Sequence, residues 1–427
     1  MAVSARSSSQ VDAALTILRG LFGERHDQEY AVRLWDGTYL GPPAPRFTLK
    51  INDPAALREA LHAPVDLHVG RAFVAGLIEC EGDVETAVDL IYDRTAALRL
   101  GDVRKLLPLA LRLPKARLPK LHEAALHGKM HSLERDREAI GFHYDQPVDF
   151  FQTFLGTVLV YSCAYFDDGV RTLEDAQNAK IDYILRKLQL RSGERLLDIG
   201  CGWGTLVIRA AKLYGARACG VTLSRRQYEH AQQAIAQAGV ADLAAVELRD
   251  YRELGDASFD KIASVGMFEH VGRSHLPEYF AGVYRLLRSG GLFMNHGIAD
   301  QSPGRHGGKS GGFVERFVFP DGELVAVSDA LMIAERAGFE VRDVENLREH
   351  YMRTLRCWVE NLERNRVQAV AAAGEEAFRT WRLYMAGSAQ GFRVGRIGLF
   401  QALLAKPRAD GSSEAALTRR HLYAAPM

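Results

Sequence analysis

From about residue 175 the chain alternates short apolar runs with amphipathic segments, and no other feature narrows the fold as far. Ala176–Lys187 has helical spacing. Arg195–Ile199 is a short apolar run that ends in glycines, as a buried parallel strand does. Leu206–Tyr214 reads as a helix and Ala218–Leu223 as a strand. Ser224–Ala238 reads as a helix with Ser224 as its N-cap. Strands over Ala244–Asp250 and Phe259–Val265 follow. Leu276–Leu287 is helical with Gly290-Gly291 beyond its end, and Leu292–His296 is a strand. This order, with short links, predicts an α/β fold built on a doubly wound parallel sheet.

The 427 residues allow two or three domains. Ahead of the alternating region, Phe47–Ile51 alternates like a half-buried strand, and Asp53-Pro54 can start a helix through Ala55–His62. Gly70–Leu77 and Val84–Thr95 are helical. The expected division is a small N-terminal α+β or helical domain over 1–98, a basic linker over 99–135, a catalytic domain over 136–406 and a polar, poorly ordered tail over 407–427. The linker carries nine Lys/Arg (Arg99, Arg104, Lys105, Arg112, Lys115, Arg117, Lys120, Lys129, Arg135) against three acids. Leucines are interleaved, and Pro108, Pro114 and Pro119 should keep a long helix from running through it. It reads either as a solvated connection or as a surface for anionic lipid headgroups.

The whole chain is nearly neutral, with a net charge of +1, so no global field draws it onto nucleic acid or lipid. Five cysteines without a CxxC pair argue against a zinc site or a disulfide framework and for a reducing compartment. The N-terminus lacks the apolar run of a signal peptide, and no stretch approaches the ~20 apolar residues of a membrane span.

The strongest local motif is Leu197-Asp-Ile-Gly-Cys-Gly-Trp-Gly204, at a strand-to-helix turn. Its spacing is G-x-G-x-G, not the G-x-G-x-x-G of dinucleotide sites, and no acid ends the next strand where an NAD ribose would need one. The leading Asp198 matches the D-x-G-x-G turn of S-adenosylmethionine-dependent methyltransferases, where an acid holds the cofactor's ammonium. Asp250-Tyr251 at the third strand's end offers a polar partner and an aromatic wall for adenine.

Several further segments occur in one order: His143-Tyr-Asp145 with Asp149-Phe-Phe151, Tyr161-Ser-Cys-Ala-Tyr-Phe166, Gly220-Val-Thr-Leu-Ser224 with Gln227, Met267-Phe-Glu-His-Val-Gly272, Phe317-Val-Phe-Pro320, and Tyr384 with Gly391-Phe-Arg393. Together with the glycine turn, they resemble the cyclopropane-fatty-acyl-phospholipid synthases and the related mycolic acid cyclopropane synthases over about residues 70–406. YSCAYF and MFEHVG are far more specific to that family than the glycines.

The resemblance implies a Rossmann-like methyltransferase sheet and S-adenosylmethionine as cofactor. It implies methylene transfer to the cis double bond of an unsaturated phospholipid acyl chain, giving a cyclopropane through a carbocation deprotonated by bound bicarbonate. The matching cofactor contacts are Tyr161, Ser162, Asp198, Gly200, Cys201, Gly202, Trp203, Gly204, Thr222, Leu223, Ser224, Gln227, Asp250, Tyr251, Arg252 and Phe268. The matching bicarbonate contacts are Cys163, Glu269, His296, the backbone of Ile298, and Tyr384. No metal is implied. Leu399–Leu404 has no cysteine, so a role given to one there in relatives does not apply.

By residue type alone, Cys163 reads equally as a small buried hydrophobe and Tyr384 as core packing. A sister lipid methyltransferase making a methyl or methylene branch, a small-molecule methyltransferase, and a silent lipid-binding protein are the competing readings. The expected setting is the cytoplasm, peripherally on the inner face of an anionic membrane. A homodimer is one expectation for its assembly.

Overall fold

The computed structural model describes residues 2–22, 29–97, 100–144, 146–255, 258–302 and 311–423; Arg99 and Asp145 lie outside them. The chain forms two compact units. The first comprises Met1–Ala124, Gly308–Pro320 and Ala369–Gln390, and the second comprises Ala125–Gly307, Asp321–Gln368 and Gly391–Met427. This differs from the expected contiguous division. Two later segments return to the first unit, so Phe317–Pro320 and Tyr384 belong to it.

The first unit is α+β. Strands β1 (Tyr30–Leu34), β2 (Tyr39–Leu40), β3 (Phe47–Ile51) and β4 (Ile78–Gly82) form a sheet in the order β2-β1-β3-β4. Phe47, Leu49 and Ile51 point inward, as the alternation predicts. The returning segments are tied in by specific contacts. Phe313 N–H donates to Asp66 (3.1 Å), and a Cβ at Gly70 would lie 2.2 Å from the Phe313 ring. Arg382 donates to the carbonyl of Cys80 (2.9 Å).

As expected, no long helix runs through the linker: residues 114–127 are non-helical, and Leu100–Ala110 is a short helix, although Pro108 lies inside it and does not break it. Its Leu106 packs against Gly20 of the helix Ala2–Phe22. Pro108 lies in the last turn of Leu100–Ala110, where its missing N–H leaves the Arg104 carbonyl without its i+4 donor.

The second unit holds β5 (Arg195–Ile199), β6 (Arg217–Thr222), β7 (Ala244–Leu248), β8 (Phe259–Val265), β9 (Leu287–Asp300), β10 (Glu340–Asn346) and β11 (Ile397–Ala405). Their order is β10-β11-β9-β8-β5-β6-β7. Strands β5 to β9 pair in parallel, as predicted, whereas β11 runs antiparallel to both β9 and β10. Strand β10 escaped the sequence reading because it is polar and only partly buried. Two apolar layers cover the sheet. Leu196, Met294 and Leu403 belong to one and Leu197, Phe293 and Leu404 to the other, so successive residues alternate between faces.

Two local expectations change. The helix Leu276–Leu286 runs directly into β9, so Gly290-Gly291 lies within the strand and not in a terminating loop. The tail is also tied down: Glu414 accepts from Lys261 (2.8 Å) and from Arg288 (2.5 Å).

Candidate active site

The carboxyl ends of β5 to β8 gather the polar residues of the second unit, with the topological switch at β5, between β8 and β6. Gly200, Gly202 and Gly204 all have positive φ (79°, 53° and 84°), which explains the three glycines of the turn. Gly204 is the left-handed cap of the helix Thr205–Tyr214. A Cβ at Gly202 would meet nothing within 4 Å, so this turn faces open space. Cys201 and Trp203 are buried, and Trp203 packs on Phe151 with ring centroids 4.8 Å apart.

Asp198, the penultimate residue of β5, is almost fully buried, and its Oδ1 has no hydrogen-bond partner among the described residues. Burial pushes its carboxyl up to about 7, against the pull of the Lys180 charge. Lys180 is itself buried and donates to Ser162 Oγ (2.8 Å); burial brings its ammonium down to about 8. An unpartnered buried carboxylate oxygen above an open glycine turn fits the ammonium of S-adenosylmethionine.

Beside it, Thr222 donates to Gln227 Oε1 (2.8 Å), and Ser224 caps the helix Arg225–Ala238 by accepting from the Gln227 N–H (3.3 Å). Leu223 lies between these two groups at the carboxyl end of β6.

At the end of β7, Asp250 departs from the expected free adenine partner. One oxygen accepts from the Arg252 backbone and Nε (2.9 Å each), and the other accepts from Arg252 Nη2 (2.7 Å). Arg252 also reaches Asp136 (3.0 Å). Any adenine contact at Asp250 must therefore use a remaining lone pair. Tyr251 packs edge-on to Tyr279, and Phe268 is buried nearby against Gly297. Tyr161 sits among Phe151, Phe154 and Trp358 in an aromatic cluster.

Past β8, Glu269 sits half-buried on the short turn Phe268–His270, with its Oε2 shielded from solvent. Its Oε1 accepts the Ile298 N–H (2.6 Å) and its Oε2 has no partner. Burial raises its carboxyl to about 7, although the Ile298 bond pulls the other way. His296 does not close its strand, because β9 continues to Asp300; His296 lies level with Val265, the last residue of β8. The ring is buried, its Nε2 has no partner, and burial holds its pKa far below the ordinary value. Cys163 is fully buried, with its thiol donating to the Ala164 carbonyl (3.2 Å) and its pKa pushed up by burial. Glu269, Ile298, His296 and Cys163 thus share the second unit. Tyr384 lies in the first, where its ring meets Phe319 and Trp381.

Two residues were missed. Lys180 is a charge on the buried stripe Ala176–Lys180–Ile184 of its helix, and Gln401 is an amide within the apolar run Leu399–Leu404. In each case a polar residue at a position patterned for the core was the available signal. Elsewhere among the described residues, Glu59, His62 and His68 of the first unit bring potential ligand atoms within 4.8 Å of one another, and Glu59 already holds His68 Nδ1 at 2.7 Å.

The sheet and its glycine edge define an S-adenosylmethionine-dependent methyltransferase. Residues 131–402 match the mycolic acid cyclopropane synthetase family, and the chain belongs to it. A probable fatty acid methyltransferase of Pseudomonas putida is 40% identical over 397 residues, covering 92% of this chain and 95% of that protein. The solved cyclopropane synthase MmaA2 of Mycobacterium tuberculosis aligns with 34% identity and a TM-score of 0.60, over 63% of this chain and 98% of that one. Mycolic acid cyclopropane synthase CmaA1, solved with SAH and CTAB, aligns with 36% identity and a TM-score of 0.59, over 63% and 97% of the two chains.

Proposed function

We propose that this protein transfers a methylene group from S-adenosylmethionine to the cis double bond of an unsaturated phospholipid acyl chain, closing a cyclopropane ring. The observation that carries the reading is the set of buried polar atoms without protein partners along one sheet edge: Asp198 Oδ1, Glu269 Oε2 and His296 Nε2. Buried polar groups are ordinarily satisfied, so three together mark a site shaped for ligands.

S-adenosylmethionine, when bound, supplies an electrophilic methyl group. Asp198 would hold its ammonium, with Lys180 nearby keeping that carboxyl ionised. Thr222, Ser224 and Gln227 would line its ribose side, and the Asp250–Arg252 pair its adenine side. A bicarbonate ion would supply a compact base, and Glu269, His296, the Ile298 N–H and Cys163 are the groups of the second unit that would hold it. The Ile298 N–H currently serves Glu269, so holding the anion requires one of that pair to turn outward. Burial of Asp198, Cys163 and His296 would help keep water from the carbocation that methyl transfer leaves on the chain.

The lipid substrate is supported by the names of the relatives and by the exposed cations of residues 104–129. Arg104, Lys105, Arg112, Lys115, Arg117, Lys120 and Lys129 are all exposed, and among the described residues none has an acidic partner. Leu107 and Leu111 project beside them, 49% and 59% exposed. Exposed leucines among unpaired cations suit the inner face of an anionic membrane. Among the described residues, no helix is long and apolar enough to cross a membrane.

The test is incubation of the enzyme with S-adenosylmethionine and oleoyl phospholipid vesicles, followed by mass analysis of the acyl chains. Gain of one CH₂ with loss of the double bond is expected. A methyl-branched product would instead favour the second reading, a fatty acid methyltransferase like the Pseudomonas putida relative. No lipid product at all would sink both.

A further inference from the structure

Gln401 occupies the centre of β11, directly across from His296 of β9 in the antiparallel register. Its side chain is fully buried, and its Nε2 lies 3.1 Å from His296 Nδ1. It sits in an apolar run, where a buried amide costs stability unless it is hydrogen-bonded. The amide carbonyl has no partner. The opposite orientation would leave the NH₂ group without an acceptor, and a buried donor is orphaned more rarely than a carbonyl.

We infer that Gln401 is a positioning residue that holds His296 as the Nε2–H tautomer, so that the imidazole faces the reaction site as a hydrogen-bond donor to an anion and not as a base. The two ring nitrogens are distinct, and what one accepts decides what the other carries. Burial, reinforced by the positive charges of Lys180 and Lys187, keeps the ring neutral, so it holds a single proton. With Nδ1 occupied by the Gln401 N–H, that proton sits on Nε2, the unpartnered nitrogen. A neutral ring that donates cannot also take the methyl proton. His296 therefore keeps its proton throughout, and the base must be another group.

The role assigned to the donated proton rests on the bicarbonate reading above; the tautomer itself does not. The experiment uses the full-length enzyme labelled with ¹⁵N-histidine, with the His296 signals assigned by their loss in His296→Phe. Two-bond proton–nitrogen spectra should show Nε2 protonated and Nδ1 as a bare acceptor. In Gln401→Glu a carboxylate faces Nδ1 and should draw the proton there. The bicarbonate concentration for half-maximal methylation should then rise about ten- to a hundredfold, as it does when a partner orienting a ligand is lost. The KM for S-adenosylmethionine should stay within about twofold, which a general packing defect would not spare. Gln401→Met, close in shape, should also raise the bicarbonate requirement, and it serves if the Glu variant does not fold. A parent spectrum with the proton on Nδ1, or an unchanged bicarbonate requirement in both variants, would overturn the inference. A parent enzyme indifferent to bicarbonate would remove the anion reading alone, leaving the spectra to decide the role of Gln401.

Discussion

Replacing Glu269 by Gln should make the enzyme inactive and more stable at once. The Glu269 carboxyl is shielded from solvent, accepts the Ile298 N–H and has no cation near it among the described residues; desolvation pushes its pKa up to about 7 from an ordinary 4.5. At 1.36 kcal/mol per unit, holding it ionised in the fold costs about 3 kcal/mol. A carboxyl whose folded value lies above its unfolded value contributes stability that is full below pH 4.5. That contribution is lost as pH rises through about 7. Gln has the shape of the neutral acid and can still accept from Ile298. Urea unfolding of parent and variant should therefore coincide near pH 4.5. The variant should pull ahead between pH 5 and 7 and level off about 3 kcal/mol more stable above pH 8. Methylation should fall by about a hundredfold or more, as for loss of a group in the proton path. A constant difference at every pH, or a less stable variant at pH 8, would refute the reasoning.

Lys180→Met removes the charge that draws Asp198 toward its ionised form. Calorimetry should find S-adenosylhomocysteine binding about tenfold weaker at pH 7 and recovering toward pH 9, whereas an equal loss at all pH would mean a packing role. Gly202→Asn, chosen because Asn tolerates positive φ, should fold normally and lose cofactor affinity; unchanged binding would remove the turn from the site. Gly220→Ala would place a Cβ 2.6 Å from Cys201 Cβ and should cost about 1–3 kcal/mol in thermal or urea unfolding. Co-sedimentation with anionic vesicles should weaken as salt rises and weaken further when Arg112, Lys115, Arg117 and Lys120 are neutralised. Salt-independent binding would argue against that surface.

The parallel half of the sheet was readable because β5 and β8 are apolar runs buried on both faces, bounded by glycine or polar turns. β10 was not, since Glu340–Asn346 is a polar, half-buried strand at the sheet edge that borrows its order from β11. The direction of β11 was equally invisible, because Ile397–Ala405 has the same apolar pattern whichever way it runs. At the site, Asp198 and the glycines are local in sequence and stood out. Gln401 and Lys180 act through contacts with His296 and Ser162, 105 and 18 residues away, and only the folded chain pairs them. The engagement of Asp250 by Arg252, two residues on, is a local contact that the motif did not encode.

Ring formation is tested most directly with S-adenosylmethionine carrying a trideuterated methyl group. Closure of a cyclopropane removes one hydrogen from the transferred methyl, because the base must lie within reach of that group. The oleoyl product should therefore carry a CD₂ ring carbon, with two of the three deuterons retained and no double bond left in the chain. Retention of all three as a CD₃ branch would show the proton leaving from the chain instead, and would contradict the cyclopropane assignment.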